Sequence, residues 1–263
     1  MGALLIVYVG LAALGPLAGW LERPAGPPAR SVRLDALYWL VTPIFTGVLT
    51  RGLVVALAIA GLLLTGATPS IPDALEQLSA RDPIGLRRLP APALGLAAFL
   101  LLDVLSYASH RLRHAIPALR ALHAVHHAPA DLDWRAAARM HPLDDLVDNG
   151  CVFFPLIALG VPPALVLLAG PLLLLHTIHL HARMAVPLGP LARVIASPGF
   201  HRAHHAVEGR LGNFGGVLSV WDHLLGTARA PDLDVPTGLP STAALPETLL
   251  GQLVVPILRA LRR

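Results

Sequence analysis

The chain has 263 residues, of which 55% are hydrophobic and only 14% are charged, and its mean hydropathy is +0.64. Soluble domains carry about 25% charged residues, so this composition predicts an integral membrane protein. The net charge of +4 comes without a basic block and with few aromatic residues, which argues against nucleic acid as a partner. The single Cys151 excludes an internal disulfide framework and a cysteine-rich metal site.

The N-terminal third predicts two membrane segments. Residues 2–20 are apolar and barely long enough to cross a bilayer, which requires about 20 residues. Residues 36–66 form either one long tilted helix or two half-spans that break near Thr50 and Arg51, because a charge at mid-depth is costly. Residues 67–90 contain four prolines and are predicted to be a polar loop.

Two further hydrophobic segments follow. Residues 91–109 predict a span that contains Asp103, and residues 152–180 predict a hairpin that turns at GVPPA, residues 160–164. The mixed segment 182–240 is predicted to be cytosolic. The amphipathic tail with its basic end suits either the membrane surface or a plain capping helix. Ten arginines lie in segments 110–145 and 183–229, which places that face in the cytoplasm.

All thirteen histidines lie between residues 110 and 223. His110 and His114 are four residues apart, so they share one face of a helix. Ser197 and Pro198 form a helix-start signal before the last of the clusters. Two HxxHH triplets place their rings on a single helical face each: His123, His126 and His127, and then His201, His204 and His205.

Three groups of imidazoles, each on one helical face, can converge on a common point. Eight ring nitrogens exceed what one tetrahedral ion requires, so the pattern predicts two metal ions. Neutral imidazole binds zinc, copper, iron and nickel. Carboxylates are sparse around the histidines, which disfavours a carboxylate-bridged bundle of the Glu-x-x-His type.

Six sequence elements occur in a fixed order from Asp103 to Thr227. They are DVLSYASHRLRH (103–114), HAVHH (123–127), RMHPLDD (139–145), HRAHH (201–205), GNFGG (212–216) and WDHLLGT (221–227). Together they resemble the motifs of the fatty acid hydroxylase superfamily, which includes the sterol desaturases. Leu225 stands where that family usually has phenylalanine.

The resemblance implies a multi-pass enzyme of the bacterial inner membrane or endoplasmic reticulum. Such an enzyme uses O2 and two histidine-bound iron ions, with zinc as a substitute, to hydroxylate or desaturate a lipid C–H bond (sterol, fatty acyl or related lipid). By position, the implied metal ligands are His110, His114, His123, His126, His127, His201, His204 and His205. A further ligand is implied from the segment HTIHLHARMAVPLGP (176–190), where His181 is favoured and His176 and His179 stay open. His141, from the RMHPLDD element, is an additional candidate. No catalytic residue is predicted beyond the ligands.

Carboxylates and an amide are predicted to support the metal ligands. Asp144, Asn213 and Asp222 are expected to orient ligand imidazoles through the free ring nitrogen. The alternatives are a helix-start charge for Asp144 and a turn residue for Asn213. Asp103 is expected to pair with Arg111, Arg113 or a ligand histidine, because an unpaired carboxylate inside a span is costly.

The predicted architecture is an all-α membrane bundle of about four spans or hairpins, with a cytosolic histidine-rich helical cap that holds the dimetal site. Residues 1–90 supply N-terminal transmembrane helices, 91–230 the catalytic domain and 231–263 an amphipathic tail. The chain has no flavin, haem or iron–sulfur motif, so a separate electron donor is expected: a ferredoxin, a cytochrome b5-like protein or a reductase.

Two alternatives to a lipid oxygenase stay open. A membrane zinc hydrolase would need a glutamate base, but the chain has no HExxH motif, and Glu208 is the only glutamate between residues 77 and 245. A non-catalytic metal-binding or transport protein would distribute ligands through its spans, whereas these histidines crowd one face.

Overall fold

The computed structural model describes residues 32–42 and 47–262, and the regular secondary structure in these ranges is helical. Within them the α-helices are α1 (Val32–Val41), α2 (Gly47–Leu64), α3 (Ile71–Ala80), α4 (Ala91–Ala115), α5 (Pro117–His127), α6 (Pro142–Ala158), α7 (Pro163–His181), α8 (Pro198–His204), α9 (Val220–Leu224) and α10 (Leu249–Ala260). The all-helical prediction is confirmed. The predicted first span, residues 2–20, lies outside the described residues.

Among the helices of residues 32–42 and 47–262, two, α4 and α7, are long and apolar enough to cross a membrane. Only 22% of the apolar window of α4 and 12% of that of α7 are buried within the protein, whereas the core helix of a soluble protein is mostly buried. Leu168 and Leu172 of α7 are 67% and 65% exposed. A lipid environment accounts for such surfaces, because exposed apolar area in water is unfavourable.

The segment before α4 departs from its prediction in two respects. Helix α2 runs without interruption through Thr50 and Arg51, so a break at that point is wrong. The segment predicted as a polar loop contains α3, which begins after Ser70, whose Oγ accepts a hydrogen bond from the Asp73 amide. Ser70 with Pro72 in the first turn is a helix-start signal that outweighs the local polarity.

The predicted hairpin of residues 152–180 is confirmed as α6, a short turn and α7. Gly160 adopts a φ of 90° in this turn, and a Cβ there would lie 2.6 Å from the Arg81 carbonyl oxygen. Arg81 and Arg87 donate to the carbonyls of Ala158 and Gly160, which fastens the turn to the segment before α4.

Helix α8 begins where the sequence predicts, because Ser197 Oγ accepts from the Phe200 amide. The tail helix α10 packs on α5, with Gln252 and Pro256 buried between them. Leu250 and Leu261 face outward. This helix therefore covers α5 in the way expected of a capping helix, while its outer apolar face stays exposed.

A hydrophobic core joins α4 to α6. Its buried members are Leu86, Ala98, Leu102, Val152, Leu156 and Val161. Leu156 is completely buried at its centre. This contact sets the position of α4, which carries two of the clustered histidines.

We expect Leu156→Ala to lower the unfolding free energy by about 2–5 kcal/mol, because it leaves a cavity in a packed core. Leu143→Ala is the matched control on α6, where Leu143 is 41% exposed, and a change within about 0.5 kcal/mol is expected. Thermal unfolding of the purified full chain measures both. Equal losses for the two variants would contradict the position of this core.

Candidate metal centre

Nine buried histidines form two groups, and within each group the possible ligand atoms lie within 4.8 Å of one another. The first group consists of His110, His114, His123, His127 and His204, and the second of His126, His181, His201 and His205. Every histidine that the sequence patterns single out as a helical triplet or pair belongs to one of them. Both groups draw their members from separate helices.

Helical spacing explains how four helices supply nine rings. Helix α4 presents His110 and His114 one turn apart at its C-terminal end, and α7 ends with His181. The two HxxHH triplets lie at the C-terminal ends of α5 and α8. Each triplet divides between the groups, since neighbouring positions on a helix point in different directions.

The inward ring nitrogens face one another closely. In the first group the Nε2 atoms of His114, His127 and His204 lie 3.1–3.2 Å apart pairwise. In the second group His201 Nε2 lies 3.4 Å from His181 Nε2 and 3.1 Å from His205 Nε2. A set of neutral imidazoles that turn the same nitrogen toward a common point cannot satisfy every one of those nitrogens by mutual hydrogen bonds.

These separations fit metal coordination. Imidazole nitrogens about 2.0–2.1 Å from one ion lie about 2.9–3.4 Å apart in octahedral or tetrahedral geometry. His110 Nε2 and His123 Nε2 are buried and have no hydrogen-bond partner among the described residues. Orphaned buried acceptors are costly, and a cation in the first group would satisfy both. The donor set is entirely imidazole, which suits iron, zinc, copper or nickel.

The outer ring nitrogens are held by backbone carbonyls. His110 Nδ1 donates to Phe214, His126 Nδ1 to Arg139, His181 Nδ1 to Thr177 and His204 Nδ1 to Gly212, over 2.7–3.2 Å. Because a carbonyl only accepts, the proton resides on Nδ1 and the lone pair of Nε2 faces inward, as metal ligands require. His201 Nδ1 and His205 Nδ1, by contrast, are buried and have no hydrogen-bond partner within the part of the chain that the structure describes.

His123 has a carboxylate in place of a carbonyl. Its Nδ1 lies 2.9 Å from an Asp144 oxygen, and the same oxygen accepts from Arg113 at 3.1 Å. Arg113 also bridges to Asp148, which accepts from Ser109. The expected contact of Asp144 with an imidazole of the histidine groups is therefore present, in addition to its position in the first turn of α6.

Burial keeps these imidazoles neutral. It lowers the pKa of His204 to about 4, and nearby Arg113 acts in the same direction. Burial, followed by neighbouring imidazoles or Arg113, holds the pKa well below the ordinary value for His123, His126, His127, His201 and His205. Neutral imidazole is the form that binds metals.

Residues 212–218 form a strap of irregular backbone across the first group. The carbonyls of alternate residues in it, Gly212, Phe214 and Gly216, accept from three different imidazoles, those of His204, His110 and His176. A strap whose carbonyls face the rings leaves its amides to be satisfied on the other side.

Two carboxylates hold the amide side of the strap. Asp222 accepts from the amides of Phe214 and Gly215, and Asp103 accepts from those of Val217 and Leu218 and from the Trp221 indole. The expected pairing of Asp103 with an arginine or a histidine is therefore wrong, because these three N–H donors satisfy it. Among the described residues, Asp222 contacts the strap and Thr227, so the expected direct contact of Asp222 with an imidazole is wrong, and it reaches the rings through the strap.

Asp103 and Asp222, which together hold the strap amides and are called the aspartate clamp here, explain which residues the strap contains. Asn213 has a φ of 57°, and its side chain bonds to Phe200 and Arg229 rather than to an imidazole, which agrees with its alternative as a turn residue. A Cβ on Gly215 would lie 2.4 Å from the Leu218 carbonyl oxygen, and a Cβ on Gly212 would lie 2.3 Å from that of Thr227. Larger residues at either position would push the strap away from the rings.

Three further histidine candidates lie outside both groups. His141 caps α6 by accepting from the Leu143 amide, and its Nε2 donates to Leu253 of α10. His176 donates to Gly216 of the strap, and the ring of His179 lies beside it. Of the three alternatives in α7, His181 is the one brought into a group.

Arg113 was not predicted as a site residue, although the sequence carries a signal for it. It lies three residues after His110, which places it on the same face of α4. Its actual partners, Asp144 and Asp148, come from α6, and their proximity depends on the packing of α4 against α6.

Two cavities adjoin beside the histidines. The apolar groove, about 410 Å³, lies between α4 and α7 and is lined by apolar residues apart from His176. The histidine cavity, about 250 Å³, is lined by imidazoles of both groups together with polar residues such as Arg113 and Asp148. Leu173, His176 and Val217 line both cavities.

Comparison with known proteins places this centre within a described family. The family model for fatty acid hydroxylases matches residues 95–227, just over half of the chain. This segment contains all nine grouped histidines, both clamping aspartates and the strap. No solved structure matches the chain.

Several curated proteins are similar to the chain. The ornithine lipid hydroxylase OlsE of Rhizobium tropici is 32% identical over 60% of this chain and 48% of its own length. The alkylglycerol monooxygenase of Homo sapiens is 31% identical over 54% and 32%, and the methylsterol monooxygenase 1 of Gallus gallus is 32% identical over 48% and 42%. The chain thus spans about half or less of the length of these relatives.

We expect Asp103→Ala to reduce the unfolding free energy by about 3 kcal/mol or more, since three N–H donors lose their acceptor at about 1–3 kcal/mol each. Amide hydrogen exchange at Val217 and Leu218 should accelerate. Trp221→Phe removes one donor and leaves the carboxylate in place, so a loss of about 1 kcal/mol is expected. Unchanged exchange at both amides in Asp103→Ala would contradict the clamp.

Proposed function

Because the chain belongs to the fatty acid hydroxylase family, we propose that it is a membrane-embedded lipid oxygenase with a pair of iron ions bound by its two histidine groups. The observation that supports this most strongly is the convergence of nine buried imidazoles at the C-terminal ends of two apolar helices. A metal centre at that position is within reach of a lipid.

The proposed ligands of one ion are His110, His114, His123, His127 and His204, and those of the other are His126, His181, His201 and His205. The iron pair, when bound, supplies the activation of O2 and the oxidation of a C–H bond. Asp144 orients His123, while Asp103 and Asp222 act as positioning residues through the strap.

Hydroxylation inserts one oxygen atom of O2 into a C–H bond, and the other atom leaves as water. Two electrons and two protons are required from outside. Desaturation removes two hydrogens and converts both oxygen atoms to water, with the same external demand. The chain carries no flavin, haem or iron–sulfur motif, so the donor is a separate redox protein: a ferredoxin, a cytochrome b5-like protein or a reductase.

The residues around the site bind the lipid and limit access of water. Apolar side chains of α4 and α7 line the approach, and burial of the imidazoles excludes bulk solvent from the reacting atoms. We place α4 and α7 across a bilayer, either the bacterial inner membrane or the endoplasmic reticulum, with the histidine ends at the cytoplasmic side. The arginines of the histidine-rich segments favour that orientation.

Metal content tests the centre directly. Full-length protein reconstituted with ferrous iron should bind two iron ions per chain. His204→Ala should bind at least one ion fewer, because His204 Nε2 contacts both His114 and His127. His223→Ala, an exposed histidine outside both groups, is the matched control and should keep both ions. One zinc ion per chain that ferrous iron does not replace would favour the hydrolase alternative.

Lipid analysis tests the reaction. A host that expresses the chain should accumulate an oxidised lipid that is missing when the His126→Ala variant is expressed, a loss of at least about 100-fold. Growth under isotopically heavy O2 distinguishes the two reactions, because a hydroxylated product acquires one heavy oxygen atom and a desaturated product acquires none. Iron-loaded protein with O2 and a reductase but no lipid oxidation across a broad panel would contradict the proposal.

A further inference from the structure

The apolar groove runs along both apolar helices toward the histidines. Gly95, Ala98 and Phe99 line it from α4, and Leu165 and Ala169 line it from α7. Its small residues leave room between the helices, and a Cβ added at Gly95 would meet open space. Gly95 precedes His110 by fifteen residues, which corresponds to a rise of about 22 Å along α4.

The lining of the groove becomes polar at one end only. Near Gly95 and Leu165 its lining is apolar, whereas at Leu173, His176 and Val217 it opens into the histidine cavity. That cavity adds Ser106, Arg113 and Asp148 to the imidazoles. An occupant of both cavities therefore needs a long apolar part and a polar end.

His176 marks the junction between the two cavities. Its Nε2 donates to the Gly216 carbonyl over 3.2 Å, so the neutral ring bears its free lone pair on Nδ1. This residue is the polar member of an otherwise apolar lining. It provides a hydrogen-bond acceptor at the depth where the polar end of an occupant would begin.

We propose that the groove binds the hydrocarbon tail of a membrane lipid with its methyl end near Gly95 and its polar end in the histidine cavity, so that oxidation occurs at the head group or at the first carbons beside it. This assignment rests on the proposed lipid oxygenase function. It narrows the substrate to lipids with an extended chain that can enter from the bilayer between α4 and α7.

The reverse orientation is disfavoured by solvation. A lipid inserted methyl end first would place its polar head group near Gly95 and Leu165, among the apolar side chains that line the groove. Burial of a polar group there without hydrogen bonds costs several kcal/mol, and a charged group costs more. At the opposite end of the groove, the polar residues of the histidine cavity can form hydrogen bonds with the head group.

Chain-length selection tests the groove. Gly95→Leu places a side chain in the open space at the far end of the groove. The kcat/KM for long tails, divided by that for short tails, should fall by about tenfold, which is the effect of excluding roughly two methylene groups. The substrates are lipids that share one head group and differ in chain length. Gly170→Leu is the matched control, because its Cβ also meets open space on α7 but Gly170 does not line the groove.

The same assay gives the position of oxidation by mass spectrometry. Oxidation beside the head group, with a shifted length profile for Gly95→Leu alone, is the expected result. Oxidation at the methyl end, or identical length profiles for the two glycine variants and the unaltered chain, would overturn the groove assignment while leaving the oxygenase proposal intact.

Photo-crosslinking separates failure of the groove from failure of the oxygenase, since it needs no turnover. A lipid with a photoreactive group at the methyl end should label α4 and α7 near Gly95 and Leu165 in the full-length protein. A reactive group beside the head should label near Leu173 and His176. The opposite pattern, or equal labelling of Gly95→Leu and the unaltered chain at the far end, would overturn the proposal even if no activity is found.

Discussion

The structure depends on one constraint, the burial of nine imidazoles that turn ring nitrogens toward two shared centres. Such rings stay in place only if their outer nitrogens are held, and backbone carbonyls do this for His110, His126, His181 and His204. Where a carboxylate performs the task, at His123, a buried arginine balances its charge. The orientation of these five rings is thus set by a group outside the two histidine groups, which is how metal sites generally fix their ligands.

The strap of residues 212–218 connects this centre to the membrane helices. Its carbonyls bind imidazoles and its amides bind Asp222 and Asp103, so each carboxylate influences the rings without touching them. Asp103 lies in α4, the same helix that carries His110 and His114. A carboxylate within an apolar helix is costly unless its oxygens are satisfied, and the strap supplies the donors. The site and the helix therefore stabilise each other.

The two cavities link the chemistry of the centre to the composition of the chain. The apolar residues that give the sequence its high mean hydropathy line the groove between α4 and α7, and the groove opens where the histidines begin. Small residues such as Ala98 and Ala169 leave room between the helices along this path. Arg113, which shares Asp144 with His123, and Asp148, which pairs with Arg113, also line the histidine cavity.

The sequence alone determined the helical class, the hairpin turn, the start of α8 and eight of the nine histidines that gather, because helical spacing and capping are local properties. The ninth, His181, was one of three open alternatives in α7. It could not determine how those histidines divide into two groups, since each triplet contributes to both and the division depends on how four helices pack. The partners of Asp103 could not be predicted either, because they lie more than a hundred residues away, on the irregular backbone of the strap and on Trp221. Side-chain identity specifies what can bind a metal, whereas tertiary packing decides which nitrogens share one ion-sized space.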